Sequence, residues 1–114
     1  MTSTTPIPGT LPEFETDTTT QTRRQPPPYA VILYNDDINT MEFVVFVLRK
    51  VFGYEIEKCV ELMLEAHKTG RAVVWVGALE VAELKADQIR SCGPDPARLD
   101  DGAGPLGVSV EPAA

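Results

Sequence analysis

Residues 29–43 read Tyr-Ala-Val-Ile-Leu-Tyr-Asn-Asp-Asp-Ile-Asn-Thr-Met-Glu-Phe, and the changes of character along this stretch decide the fold class. Tyr29 to Tyr34 is β-branched and aromatic, which suits a pleated strand. Asn35-Asp36-Asp37 stops it, because short polar side chains bond their own backbone and turn the chain. Asn39 with Glu42 three residues on is a capping-box spacing, which predicts Asn39 as the N-cap of a helix. The helix is expected to run to about Phe52, with Gly53 supplying a left-handed stop. Met41, Phe43, Val44, Val45, Phe46, Val47, Leu48, Val51 and Phe52 make it apolar on most sides. Such a helix is expected at the centre of the fold, covered by several neighbours.

Outward from this unit the pattern stays short-range. A second helix is expected from about Ile56 to Thr69, ending at Gly70, with Ile56, Val60, Met63, Leu64 and His67 forming one apolar stripe. Glu57, Lys58, Glu61, Glu65 and Lys68 fall on its solvated side. Ala72 to Val76 reads as a strand, and Leu79 to about Arg90 as a third helix with Leu79, Ala82, Leu84 and Ile89 apolar. Gly93-Pro94-Asp95-Pro96 ends that helix, and residues 91–105 read as a polar loop rich in Gly and Pro. Leu106 to Val110 alternates and reads as a short last strand. The order β-α-α-β-α-β implies an α+β domain of two layers, three helices on a three-stranded antiparallel sheet.

Residues 1–28 differ in kind. They are rich in Thr, Pro and Gln, end in Gln25-Pro26-Pro27-Pro28 and carry no periodic apolar run. The expected division is a flexible extension over 1–28 and a core domain over 29–114. The net charge of −7 spreads over all parts of the chain, with no basic segment. A cationic ligand is therefore electrostatically easier than nucleic acid or anionic lipid. The chain lacks a basic start followed by a hydrophobic stretch, so no secretion signal is expected. No apolar run is long enough for a membrane span. Cys59 and Cys92 lack metal-like spacing and are expected to be reduced thiols of a cytoplasmic protein.

The chemistry-bearing residues are Asn35, Asp36 and Asp37 at the strand end, with Met41 and His67 on the following helices. Together they could surround one small cation, and the α-amino group of a protein's first residue is a good candidate. Singly, they read as a turn with a helix cap, a boundary histidine and a packing methionine. Asp37-x-Asn39 loosely suggests a calcium loop, but the glycine and late glutamate of such a loop are missing. No Ser or Cys nucleophile motif and no glycine-rich phosphate loop accompany the acids. Neither an enzyme, a metal nor a cofactor is expected.

The quoted stretch 29–43, Glu-Leu-Met-Leu-Glu-Ala-His-Lys-Thr-Gly-Arg-Ala at 61–72 and Leu-Glu-Val-Ala-Glu-Leu-Lys at 79–85 together resemble the ClpS family. The likeness runs continuously from about 28 to 90, with 105–111 added at the end. It implies an adaptor of the bacterial N-end rule, which binds a substrate's N-terminal residue and delivers it to a Clp AAA+ ATPase, ClpA or ClpC, coupled to ClpP. It implies that Asn35, Asp36, Asp37 and His67 hold the α-amine. It further implies a side-chain pocket of Leu33, Asn39, Met41, Val44, Met63, Ala66 and Leu106, suited to N-terminal Leu, Phe, Tyr or Trp. The methionine matching Met41 would act as a gate against β-branched residues. Glu80 and Lys85 match positions that contact the ATPase N-domain, and a monomer is expected. The family commonly has threonine and proline where this chain has Asn39 and Thr40, a larger valine in place of Ala66, and a shorter loop before the last strand. The runner-up is a Clp-docking regulator that does not bind N-terminal residues. A ribosomal-stalk-like domain of similar fold would carry a Lys-rich helix face, which this chain lacks.

Overall fold

A computed structural model describes residues 26–113; residues 1–25, nearly all of the expected extension, and Ala114 lie outside the described residues. The first strand, β1 (Tyr29–Tyr34), is the middle of the sheet. Its apolar run makes this possible, since a central strand is covered on both edges and faces the core with Val31 and Leu33. The second strand, β2 (Arg71–Gly77), pairs antiparallel with one edge of β1, and the third, β3 (Val108–Pro112), with the other. The register between β1 and β2 slips between Val31 and Ile32, where Val74 is the extra residue. Pro112 lies at the end of an outer strand, where a missing N–H costs no ladder bond.

Three helices complete the domain: α1 (Met41–Phe52), α2 (Ile56–Thr69) and α3 (Leu79–Ser91). The order β-α-α-β-α-β and the three-helix, three-stranded antiparallel plan agree with the sequence reading. Gly53 and Gly70 close α1 and α2 in the left-handed region, at φ 72° and 97°, where a Cβ would be strained. The last strand starts two residues later than expected: Leu106 is instead a single buried core residue, and Gly107 accepts the Tyr34 N–H at 3.0 Å. The expected loop 91–105 contains a 3₁₀ segment, Pro96–Asp101, kinked at Arg98 (φ −124°, ψ 15°) and capped by Asp95.

Two expectations about helix faces need correction. The first helix is not covered on most sides. α2 and α3 lie against the sheet, while α1 packs on those two helices. It buries the stripe Phe43, Val47, Leu48, Val51 and leaves Phe46 56% exposed. Phe46 is covered in part by the ring of Phe43 and by the ammonium of Lys50. On α2 the buried stripe is Cys59, Leu62, Met63 and Ala66, while Ile56, Val60 and His67 are exposed. The true stripe lies roughly a quarter turn from the expected one. Small Cys59 and Ala66 carry little hydrophobic weight in a sequence, yet they let neighbouring elements approach closely. Burial pushes the Cys59 thiol up, so it stays protonated; it and Cys92 are both free thiols.

Candidate functional site

The 35–40 turn is built by one carboxylate. Asp36 Oδ1 accepts the N–H groups of Ile38 at 2.7 Å and Asn39 at 3.0 Å, and its Oδ2 accepts the Asn39 side-chain amide at 2.7 Å. Burial would raise the Asp36 carboxyl, but these hydrogen bonds from Asn39 and Ile38 outweigh it and hold it below the ordinary value of 3.8. Beside it, Asn35 donates its N–H to Gly70 at 2.9 Å and its side-chain amide to Asp37 at 3.2 Å. The first of these bonds ties the strand end to the C-terminus of α2, which brings His67 near the turn.

Asn39 is not the N-cap. Thr40 is, with its Oγ1 accepting the Phe43 N–H at 3.1 Å. The capping-box spacing misleads because the Asn39 side chain has other partners. Its amide donates to Asp36 and, at 2.9 Å, to the Gly104 carbonyl, and its Oδ1 accepts the Asp95 N–H at 2.8 Å. Asp95 in turn accepts the Thr40 hydroxyl at 2.6 Å and the Thr40 N–H at 3.1 Å. The Thr40 hydroxyl, then the Ala97 N–H, hold the Asp95 carboxyl below its usual range; burial opposes this, and the Thr40 N–H and the Arg98 charge add to the lowering. Asn39 and Asp95 are the only two buried polar side chains among the described residues. Asn39 Oδ1 takes the Asp95 backbone N–H while the Asp95 carboxylate takes the Thr40 N–H and hydroxyl, and these bonds anchor the 91–105 loop to the start of α1.

An open cleft of about 590 Å³ lies where this turn meets α1, α2 and the 3₁₀ segment. Its lining includes Asn35, Asp36, Asp37 and His67 together with Leu33, Asn39, Met41, Val44, Met63 and Ala66. Leu33, Met63 and Ala66 are buried, Val44 is half-buried, and Met41 stands 42% exposed as the first residue of α1. One side of the cleft is thus polar and the other apolar. Of the expected pocket residues, Leu106 is buried in the core and is not part of the lining. The lining also contains Tyr34, Ile38, Thr40 and Glu42, which adjacency in the sequence could have suggested. Arg98 and Asp101 line it too, and no local signal marked them.

Glu80 and Lys85 lie outside the cleft on α3. Glu80 is exposed in the first turn. Lys85 is half-buried, donates to the Val51 carbonyl at 3.0 Å and sits 5.7 Å from the centre of the Phe52 ring. It therefore caps the C-terminal end of α1 as well as meeting solvent.

A cleft with an acidic rim and an apolar floor, held open on a small α+β scaffold, defines a binding module. The family described as "ATP-dependent Clp protease adaptor protein ClpS" matches residues 24–96, and the chain belongs to the ClpS family. An adapter ClpS of Ruegeria is 48% identical over 83 residues, covering 68% of this chain and 74% of that protein. One from Sodalis glossinidius is 51% identical over 63 residues; the match spans 55% of this chain and 59% of that relative's length. Among solved structures, Agrobacterium tumefaciens ClpS2 bound to L-phenylalaninamide superposes with a TM-score of 0.66 at 35% identity. It covers 77% of this chain and 99% of its own. These relatives are named as protease adaptors, a non-catalytic family.

Proposed function

We propose that this protein is an N-degron adaptor: it binds the free α-amine and bulky apolar side chain of a substrate's first residue and hands the substrate to a Clp AAA+ ATPase. The observation that carries the reading is the continuity of one cleft, from Asn35, Asp37 and His67 to Met41, Val44, Met63 and Ala66. A protein's first residue is distinguished from the same residue inside a chain by its amine, mostly cationic at neutral pH. Burying it without acceptors costs several kcal/mol. The Asn35 carbonyl, the Asp37 carboxylate and a ring nitrogen of His67 can supply them. Each charge-assisted bond contributes about 1.5–3 kcal/mol. Asp36 acts differently from its neighbours. Its oxygens already take three bonds from the turn, so it chiefly shapes the site and adds negative potential.

The apolar half suits Leu, Phe, Tyr or Trp, whose burial contributes about 1.5–3 kcal/mol. Met41, in the lining and 42% exposed, would bar a stiff, branched Cβ. The phenylalaninamide bound by the Agrobacterium relative has a free amine, an apolar ring and an amide in place of a carboxylate, and so has the chemistry of a chain's first residue. Delivery would use the α3 surface around Glu80 and Lys85, with residues 1–28 as an extension engaged by the ATPase. The protein would act as a monomer in the cytoplasm.

The test is fluorescence anisotropy with labelled peptides that differ only at residue one: Leu, Phe, Tyr, Trp, Ile and N-acetyl-Leu. Binding of the free Leu and aromatic peptides, lost on acetylation, is the expected result. If none of them binds, the cleft does not read N-termini, and a Clp-docking regulator becomes the better description.

A further inference from the structure

The 3₁₀ segment brings a charge to the cleft that the family match does not account for. The match ends at residue 96, while Arg98 and Asp101 line the cleft. Their backbone is well anchored. Asn39 and Thr40 hold Asp95 at 2.8 and 2.6 Å, Asn39 holds Gly104 at 2.9 Å, the Arg98 N–H donates to Asp95 at 2.9 Å, and Ala103 donates to the Arg98 carbonyl at 3.2 Å. Arg98 therefore projects from a fixed base rather than from a wandering loop.

Among the described residues, Asp36, Asp37, Glu42 and Asp101 are the carboxylates of the lining, and Arg98 is its only lysine or arginine. A peptide whose first residue fills the cleft must leave across this rim. An acidic side chain just behind the first residue would meet repulsion from the carboxylates. Among the described residues, Arg98 makes one side-chain hydrogen bond, from Nη1 to Asp101 at 3.2 Å. A guanidinium carries five N–H donors in a planar fork that matches a carboxylate. The side chain is 49% exposed, so a ligand in the cleft can reach it.

We propose that Arg98 is a specificity-determining residue that lets this adaptor accept an acidic side chain at the second or third position of the substrate. This rests on the N-degron reading of the cleft. Asp101 orients the guanidinium through their exposed pair and shares it with the incoming carboxylate.

The experiment uses the full chain and free-amine peptides beginning with Phe, carrying Glu, Gln or Lys at position two, and a second set varied at position three. Dissociation constants are measured for wild type, Arg98→Gln and Arg98→Lys. Arg98→Gln should weaken the Glu peptide about two- to fivefold relative to the Gln peptide, the range of an exposed ion pair. The position that responds identifies the contact. Arg98→Lys should retain most of the preference, and the difference should shrink at about 0.5 M salt. Arg98 is exposed, so neither variant should unfold the protein. A Glu-to-Gln ratio that Arg98→Gln leaves unchanged at both positions overturns the proposal, even if all peptides weaken together. If wild type binds no Phe peptide, the N-degron reading itself fails and this inference falls with it.

Discussion

Replacing Asn39 with alanine should remove the link between the cleft turn and the 91–105 loop. Asn39 is 6% exposed, and its side chain makes three bonds: to Asp36 at 2.7 Å, to Gly104 at 2.9 Å and from the Asp95 N–H at 2.8 Å. Its orientation is unambiguous, since two acceptors face its nitrogen and one donor faces its oxygen. A typical internal hydrogen bond contributes about 1 kcal/mol, and a buried group left unpaired costs about 1–3 kcal/mol. The bond to Asp36 is charge-assisted but partly open to water, so it counts as an ordinary one. Water can reach some of the abandoned groups once the side chain is gone. The expected loss is therefore roughly 2–4 kcal/mol, a large part of the total stability of a domain this size. Urea unfolding at neutral pH, followed by circular dichroism, measures it. Asn39→Asp sharpens the test: at neutral pH it replaces a donor with an acceptor facing Asp36 and the Gly104 carbonyl, so it should be at least as damaging as alanine. Acidification to about pH 4 should narrow that difference. A loss below about 0.5 kcal/mol for Asn39→Ala, with an unchanged denaturant slope, would refute the claim that this side chain ties the loop to the turn.

His67→Ala should weaken a Leu- or Phe-starting peptide several-fold in anisotropy; equal affinity would remove His67 from the site. Met41→Ala should let Ile- and Val-starting peptides bind measurably, and unaltered selectivity would mean that Met41 is no gate. Peptide affinity should fall about tenfold per pH unit above about pH 8, as the substrate amine loses its proton; a flat titration to pH 10 would show that the charged amine is not what is recognised. The folded-state carboxyls of Asp36 and Asp95 are depressed below 3.8, so their contribution to stability is complete above that pH and is lost as pH falls through their lowered values. Thermal melts of Asp36→Asn should then show a smaller drop than wild type over that acid range, and parallel curves would count against the role given to Asp36.

Much of the fold was legible because its elements are set locally. The β-branched run of β1 and the glycines after α1 and α2 each act within a few residues, whereas on α3 the structure buries Ala82, Ala86 and Ile89 and exposes Leu79 and Leu84. The errors came where distant partners decide. Asn39 looks like a helix cap until Asp95 and Gly104 claim its side chain. Cys59 and Ala66 look neutral until the elements packed on α2 need small residues there. Leu106 looks like the first residue of a strand, but it is drawn into the core while pairing begins at Val108. The cleft residues on the first turn and on α2 came from the resemblance to the ClpS family, since singly they read as turn, boundary and packing residues. Arg98 and Asp101 did not, because the connection that places them is a buried polar network rather than a hydrophobic period.

That network could not form with the threonine and proline that the family resemblance leads one to expect at positions 39 and 40. A proline at position 40 would have no N–H, yet the Thr40 N–H is one of the two groups that hold Asp95 Oδ2. A threonine at position 39 has one hydroxyl, and it could not bond Asp36, Gly104 and the Asp95 N–H at once as the Asn39 amide does. Asn39, Thr40 and Asp95 therefore form one unit, and the 3₁₀ segment with Arg98 follows from it. Their effects should be coupled. Asn39→Thr combined with Thr40→Pro should cost less than the two single changes added together, because either one alone already releases Asp95. The double variant should also lose the preference proposed for Arg98 while keeping the first-residue selectivity proposed for Met41, Val44 and Met63. Strict additivity in a double-mutant cycle, measured by urea unfolding, would mean that the two residues act separately and that the loop is held by something else.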